Sequence, residues 1–180
     1  MKTMKIAILS DTHDNTPAIV WIIEYLNEKK IKVAFHAGDM INPGVVRRFA
    51  EHYYGHLHFV FGNNDGEHTL IERRANAAQN LTCHGNELQL EVEGRKIFMN
   101  HYSSIGEPVA KSGDFDIIIG GHDHQYRVIE YGTSLFINPG NTVTKDKWLP
   151  QAADKESSFV ILDLDTLKHE RVMLPTQFQL

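Results

Sequence analysis

The sequence predicts an α/β fold whose first half alternates strand and helix and whose second half is rich in strands. Two observations carry that expectation. As far as about Asn76, near-continuous apolar runs of strand length alternate with stretches of helical periodicity, which is the pattern of parallel strands covered on both faces. From Glu87 onward, short runs come in pairs separated by turn residues, the pattern of antiparallel hairpins. A third observation concerns chemistry: Asp, Asn and His recur directly after the strand runs.

Lys5-Ile6-Ala7-Ile8-Leu9 reads as a buried strand, and Asp11 to Asn15 as the loop that follows. Thr16-Pro17 reads as a helix start, with Thr16 as N-cap and Pro17 in the first helical position. Ile19, Ile22, Ile23 and Leu26 keep helical spacing to about Lys29. Val33 to His36 is the second strand. Pro43-Gly44 opens a second helix with Val45, Val46, Phe49 and Ala50 on its apolar side. His58 to Phe61 is the third strand, and Glu67 to about Asn76 a short helix. Glu87 to Val92 pairs with Arg95 to Met99 around Glu93-Gly94. A helix around Glu107 to Ser112 leads into the strand Phe115 to Ile119. Tyr126 to Glu130 pairs with Ser134 to Ile137, and Phe159 to Leu164 with Glu170 to Leu174. No repeat, linker or shift in composition divides the chain, so residues 1–180 are expected to form a single domain.

A chain of 180 residues can bury one substantial core. Its net charge of −5 argues against polymeric nucleic acid as a partner, yet allows a small phosphate ester. Cys83 is the only cysteine, so no intrachain disulfide forms. Met1 to Leu9 is too short and polar for a signal peptide, and no apolar stretch approaches the ~20 residues that span a bilayer. A soluble, cytoplasmic protein with no membrane association is the expectation.

Five clusters carry the chemistry: Asp11-Thr12-His13, Gly38-Asp39, Gly62-Asn63-Asn64-Asp65, His101, and Gly121-His122-Asp123-His124. The last is the sharpest. In extended backbone, residues two apart point the same way, so His122 and His124 are placed to reach one small volume. Imidazole mixed with carboxylate and amide oxygen suits Mn²⁺, Fe²⁺, Zn²⁺ or Ni²⁺, and not Ca²⁺, which takes oxygen alone. Singly, each residue has an ordinary reading. Asp11 and Asp39 suit loops or caps, and either histidine suits a polar strand end. Seven such readings holding together are improbable.

On these residues, in this order, the chain resembles the calcineurin-like metallophosphoesterases. It is most similar to their small, single-domain bacterial and archaeal phosphodiesterases, some of which carry Gly-Asn-Asn-Asp-Gly as this chain does at Gly62 to Gly66. Asn138-Pro139-Gly140 matches another feature of that subgroup, and the resemblance runs from Lys5 to near Leu174. It implies two facing mixed β-sheets flanked by helices, with metals at the strand ends. Carried over residue by residue, it implies one ion held by Asp11, His13 and His124, a second held by Asn63, His101 and His122, and Asp39 as the bridge. The implied cofactor is two divalent ions, Mn²⁺ foremost, with Ni²⁺, Fe²⁺ and Zn²⁺ as alternatives. The implied reaction is hydrolysis of a small phosphate ester, a diester foremost, by a metal-bridging hydroxide that attacks phosphorus. No protein nucleophile is needed, so Ser10, Ser103 and Cys83 are not read as covalent catalysts. A phosphomonoesterase is the near alternative. A non-catalytic metal-binding scaffold, like the family's eukaryotic trafficking member, is the distant one. The subgroup also implies a homo-oligomer, dimer or tetramer.

Two positions depart from the family pattern. Larger members place histidine directly after the ligand asparagine to assist the leaving group. Here Asn64 and Asp65 follow, and they are the candidate catalytic residues: Asn64 as a donor to an oxyanion, Asp65 as an orienting group or an acid. After His101 the usual Gly-His is Tyr102-Ser103, which alters the mouth of the second metal site. Both departures imply modest turnover and a preference for activated leaving groups. His36 reads first as packing and second as support for the site. His52, His56, His58, His68, His84 and His169 read as surface or packing residues. Asn141 to Ser157 lacks periodicity and carries Lys145, Asp146, Lys147, Pro150, Asp154 and Lys155. It reads equally as a solvated loop and as a border of the substrate cleft or of an oligomer contact.

Overall fold

The computed structural model describes residues 4–143 and 156–178. The charged part of the irregular stretch, from Lys145 to Lys155, lies outside the described residues. In chain order the elements are β1 (Lys5–Leu9), α1 (Thr16–Glu28), β2 (Val33–His36), α2 (Pro43–His52), β3 (His56–Phe59), α3 (His68–Ala77), β4 (Leu81–Cys83) and β5 (Glu87–Val92). They continue with β6 (Arg95–Tyr102), α4 (Ser103–Ser112), β7 (Ile117–Gly121), β8 (Arg127–Tyr131), β9 (Ser134–Asn138), β10 (Ser158–Asp163) and β11 (His169–Met173).

Two mixed sheets result. The first has the order β11-β10-β1-β2-β3-β4, and the second β5-β6-β7-β9-β8. β1 to β4 run parallel, and the β10–β11 hairpin adds antiparallel strands beside β1. β6, β7 and β9 run parallel between two antiparallel edges. Burial on both faces explains the apolar runs. On β1, Ile6 and Ile8 enter the core between the sheets, whereas Ala7 and Leu9 enter the core beneath α1 and α2. A third cluster, Phe98, Ala110, Ile118 and Phe136, seats α4 on the outer face of the second sheet. The two facing mixed sheets with helices outside are therefore the observed arrangement. No helix of the described residues is long and apolar enough to cross a membrane.

Several boundaries differ from expectation, each for a tertiary reason. Asn15, not Thr16, caps α1: its Oδ1 accepts from the Ala18 N–H at 3.3 Å, and its amide also donates to the carbonyls of Thr142 and Phe178. β3 starts at His56, two residues early, because its ladder with β2 opens at Val33 opposite His56. β4 was not expected from periodicity, since three residues are too few to show one. β6 runs past Met99 to Tyr102 through a register shift against β7, so His101 lies within a strand. α4 consequently starts at Ser103 rather than near Glu107. β7 begins at Ile117, and Phe115 instead packs against Phe98 at the third cluster.

Candidate metal centre

The loops after β1, β2 and β3 are stitched to one another by backbone. The Asp11 N–H donates to the Gly38 carbonyl at 3.0 Å, and the His13 N–H to the Asp39 carbonyl at 3.0 Å. Asp65 ties in the third loop. Its Oδ2 accepts from the Asp39 N–H at 2.9 Å and the Gly62 N–H at 2.7 Å, and its Oδ1 accepts from the Ile41 N–H at 2.7 Å. The loops approach so closely that side chains are excluded. A Cβ at Gly62 would stand 2.1 Å from Asp39 Oδ1, and one at Gly121 would stand 2.0 Å from Ser10 Oγ. Asp11, His13, Asp39, His122 and His124 all have positive φ, from 42° to 75°. Such backbone costs on the order of 1–3 kcal/mol per residue and persists only where its surroundings enforce it. Strain is thus concentrated on five of the seven candidate ligands.

Their side chains meet in two overlapping groups. Asp11, His13 and His124 each bring one ligand atom to within 4.8 Å of the others, and so do Asp11, Asp39 and His101. In the first group His13 Nε2 lies 2.9 Å from His124 Nε2, and Asp11 Oδ1 lies 3.2 Å from His124 Nε2. In the second, His101 Nε2 lies 3.0 Å from Asn63 Oδ1 and 3.6 Å from Asp39 Oδ1. Asp39 spans both, because its Oδ2 is 3.7 Å from His13 Nε2. Donors bonded at about 2.1 Å to one ion stand roughly 3 Å apart when at right angles, so these spacings fit shared cations.

The hydrogen bonds make the same point. His101 Nδ1 lies 2.8 Å from the Ala37 carbonyl, which only a protonated Nδ1 can serve. In the neutral ring Nε2 is then a lone pair, and it faces an amide oxygen and a carboxylate. Asp11 Oδ2 is satisfied by the Ser10 hydroxyl at 2.5 Å and the His122 N–H at 3.0 Å. Asp11 Oδ1, fully buried, makes no well-formed hydrogen bond among the described residues and points at His124 and His13. Burial pushes the Asp11 carboxyl up, but the imidazoles of His124, His13 and His101 around it together hold it well below the usual range. Acceptors converge here without enough protons to separate them. A divalent cation supplies what such a set lacks.

His122 and His124 do not share one volume. Both are left-handed rather than extended, so the rule for residues two apart fails. His124 is buried against His13, whereas His122 is exposed and lies edge-on to His101 and Tyr102, with ring centroids 5.1 and 4.7 Å away. Asn64 sits beside the cluster: its N–H and its amide Nδ2 donate to the two oxygens of Asp39 at 2.9 and 2.8 Å.

Several supporting residues were not singled out from sequence. Asn138 is fully buried, and its amide donates to Ser103 Oγ, the Gly121 carbonyl and Asp123 Oδ1, fixing the loop that carries both histidines. Asn141 donates to the His124 carbonyl, and Thr142 to the carbonyls of Asp11 and Thr12. The subgroup feature Asn138-Pro139-Gly140 was the available signal, but it named no role.

His36 supports the site rather than merely packing. It is fully buried, its Nδ1 accepts from the Gly38 N–H, and its Nε2 meets Thr12 Oγ1 at 3.0 Å. Burial foremost pushes its pKa down to about 3. The unfolded chain binds a proton below about 6.5 and the folded chain does not, so this contribution is full above that pH and is lost as pH falls towards 3. It amounts to roughly 3–5 kcal/mol. In urea unfolding, His36→Gln is therefore expected to lose less stability than the parent between pH 7 and pH 4. Parallel losses in the two proteins would contradict this.

Comparison with known proteins agrees with the geometry. The family model for the calcineurin-like phosphoesterase superfamily domain matches residues 4–167. The phosphodiesterase MJ0936 of Methanocaldococcus jannaschii is 33% identical over 139 residues, spanning 76% of this chain and 83% of that protein. A solved archaeal phosphodiesterase superposes with a TM-score of 0.83 at 29% identity, covering 95% of this chain and 100% of its own. Vacuolar protein sorting 29 from Cryptosporidium parvum shares the fold alone, with a TM-score of 0.69 at 19% identity, covering 96% of this chain and 97% of its own. With the strand-end loops, the two sheets and these matches in agreement, the chain belongs to the calcineurin-like phosphoesterase superfamily.

Proposed function

We propose that this phosphoesterase hydrolyses small phosphodiesters with two divalent ions, one held by Asp11, His13 and His124, the other by Asn63, His101 and His122, with Asp39 between them. The observation that carries this reading is the convergence of His101 Nε2, Asn63 Oδ1, Asp39 and Asp11 Oδ1, in which Asp11 Oδ1 has no hydrogen-bond donor among the described residues and His101 Nε2 presents a lone pair to an amide oxygen. When bound, the ions supply positive charge to phosphoryl oxygens and a water acidic enough to attack near neutral pH. The residues supply position. Ser10 and the His122 N–H lock Asp11 so that its other oxygen faces inward. Ala37 locks the His101 tautomer. Asn64 is exposed, so its amide can turn from Asp39 towards a phosphoryl oxygen. Asp65 acts as the orienting group, because three backbone donors occupy its carboxylate. Tyr102 walls the mouth beside His122.

Diesters are favoured over monoesters because no dense Arg/Lys cluster adjoins the motifs to clamp a terminal phosphate, and because the named relatives are phosphodiesterases. The test is hydrolysis of bis-p-nitrophenyl phosphate and p-nitrophenyl phosphate after chelation, with Mn²⁺, Ni²⁺, Zn²⁺ or Mg²⁺ restored singly. Activity is expected to vanish on chelation and to return best with Mn²⁺, faster on the diester. Faster cleavage of the monoester would make the protein a monoesterase. No cleavage with any ion would favour the scaffold reading.

A further inference from the structure

Three histidines unconnected with the catalytic cluster share one face of the first sheet. His56 and His58 alternate along β3 and so point the same way. Thr82 lies opposite His58 on the edge strand β4, and His84 follows two residues later on the same face. His58 Nδ1 is 3.1 Å from His84 Nε2. The ring centroids of His56 and His58 are 4.6 Å apart, and those of His58 and His84 are 5.3 Å apart. His58 rests flat on the buried ring of Phe35 at 5.3 Å, which fixes its plane. All three histidines are half-buried, so solvent reaches them.

Two neutral imidazoles at 3.1 Å share at most one proton. Their spacing also equals that of two donors on one ion, roughly 3 Å for bonds of about 2.1 Å. A neutral imidazole keeps one ring nitrogen with a lone pair, so each of the three rings can offer one ligand atom. His56 Nε2 is engaged by Thr82 Oγ1 at 2.8 Å, a hydroxyl contact that a ring rotation releases.

We propose that His58 and His84 form a second transition-metal site for a borderline divalent ion such as Ni²⁺, Cu²⁺ or Zn²⁺, with His56 drawn in as a third ligand only once its ring turns from Thr82. Its ligands are all imidazoles. Mn²⁺ and Mg²⁺, which prefer oxygen, are therefore poor occupants. An ion here pins the end of edge strand β4 to β3, independently of any ion in the catalytic cluster.

That difference in selectivity gives the test. The parent and a His58→Asn/His84→Asn variant are dialysed against micromolar Ni²⁺, or separately Mn²⁺, and bound metal per chain is counted by mass spectrometry. The parent is expected to hold one more equivalent of Ni²⁺ than the variant and the same amount of Mn²⁺, whatever the catalytic cluster binds. Circular dichroism checks that the variant is folded. His84→Gln alone, at a half-exposed position, is expected to weaken Ni²⁺ binding at this site at least tenfold. Equal Ni²⁺ counts, or an equal fall in both metals, would overturn the proposal and leave His58 and His84 as a hydrogen-bonded pair.

Discussion

Asp39→Ala is expected to lose at least about 10³-fold in kcat/KM for phosphodiester hydrolysis while remaining folded. Asp39 faces both halves of the cluster, with one oxygen 3.6 Å from His101 Nε2 and the other 3.7 Å from His13 Nε2. Without it only Asp11 is common to the two groups of ligands, and on the two-ion reading proposed above the second ion loses its carboxylate. The fold does not need it equally. In the metal-free chain Asp39 is a buried carboxylate close to that of Asp11, so its removal relieves like-charge repulsion, which offsets the two hydrogen bonds lost from Asn64. Unfolding free energies from urea titration of the chelated parent and variant are expected to agree within about 1 kcal/mol. A kinetic loss below tenfold would show that the bridge is not essential.

Asp65→Ala is expected to act in the opposite balance, with a large cost to stability. Alanine strands the N–H groups of Asp39, Ile41 and Gly62, which lie in the core of the stitched loops. Hydrogen bonds to a charged group are worth about 1.5–3 kcal/mol each, and the loops relax in part, so a loss of roughly 3–5 kcal/mol is expected. Activity falls by about 10²-fold through displacement of Asp39, the scale of a lost supporting contact to a metal ligand. The pattern across substrates separates positioning from acid catalysis. A positioning residue lowers rates equally for p-nitrophenyl and alkyl leaving groups. An acid lowers them mainly for alkyl groups, which need the proton. Selective loss on alkyl esters would restore the acid role to Asp65.

The strands were legible because burial on both faces writes long apolar runs, as at Lys5 to Leu9 and Ile117 to Ile119. β4 and the early start of α4 were not, since three residues show no period and Ser103-Ser104 resembles a loop. The candidate ligands were legible because Asp, Asn and His repeat after strands. Their orientation was not: His122 and His124 diverge because both adopt left-handed backbone, which their identities do not announce. The role of Asn138 escaped, and that of His36 was ranked behind packing, for a different reason. Each acts through a partner distant in sequence, Asn138 through the Gly121 carbonyl and His36 through the Thr12 hydroxyl.

The most direct measurement is anomalous diffraction from crystals soaked in Mn²⁺. The expected result is two peaks about 3.5–4 Å apart, one among Asp11, His13 and His124, the other among Asn63, His101 and His122, with Asp39 between them. A single peak, or two that do not flank Asp39, would contradict the dinuclear account.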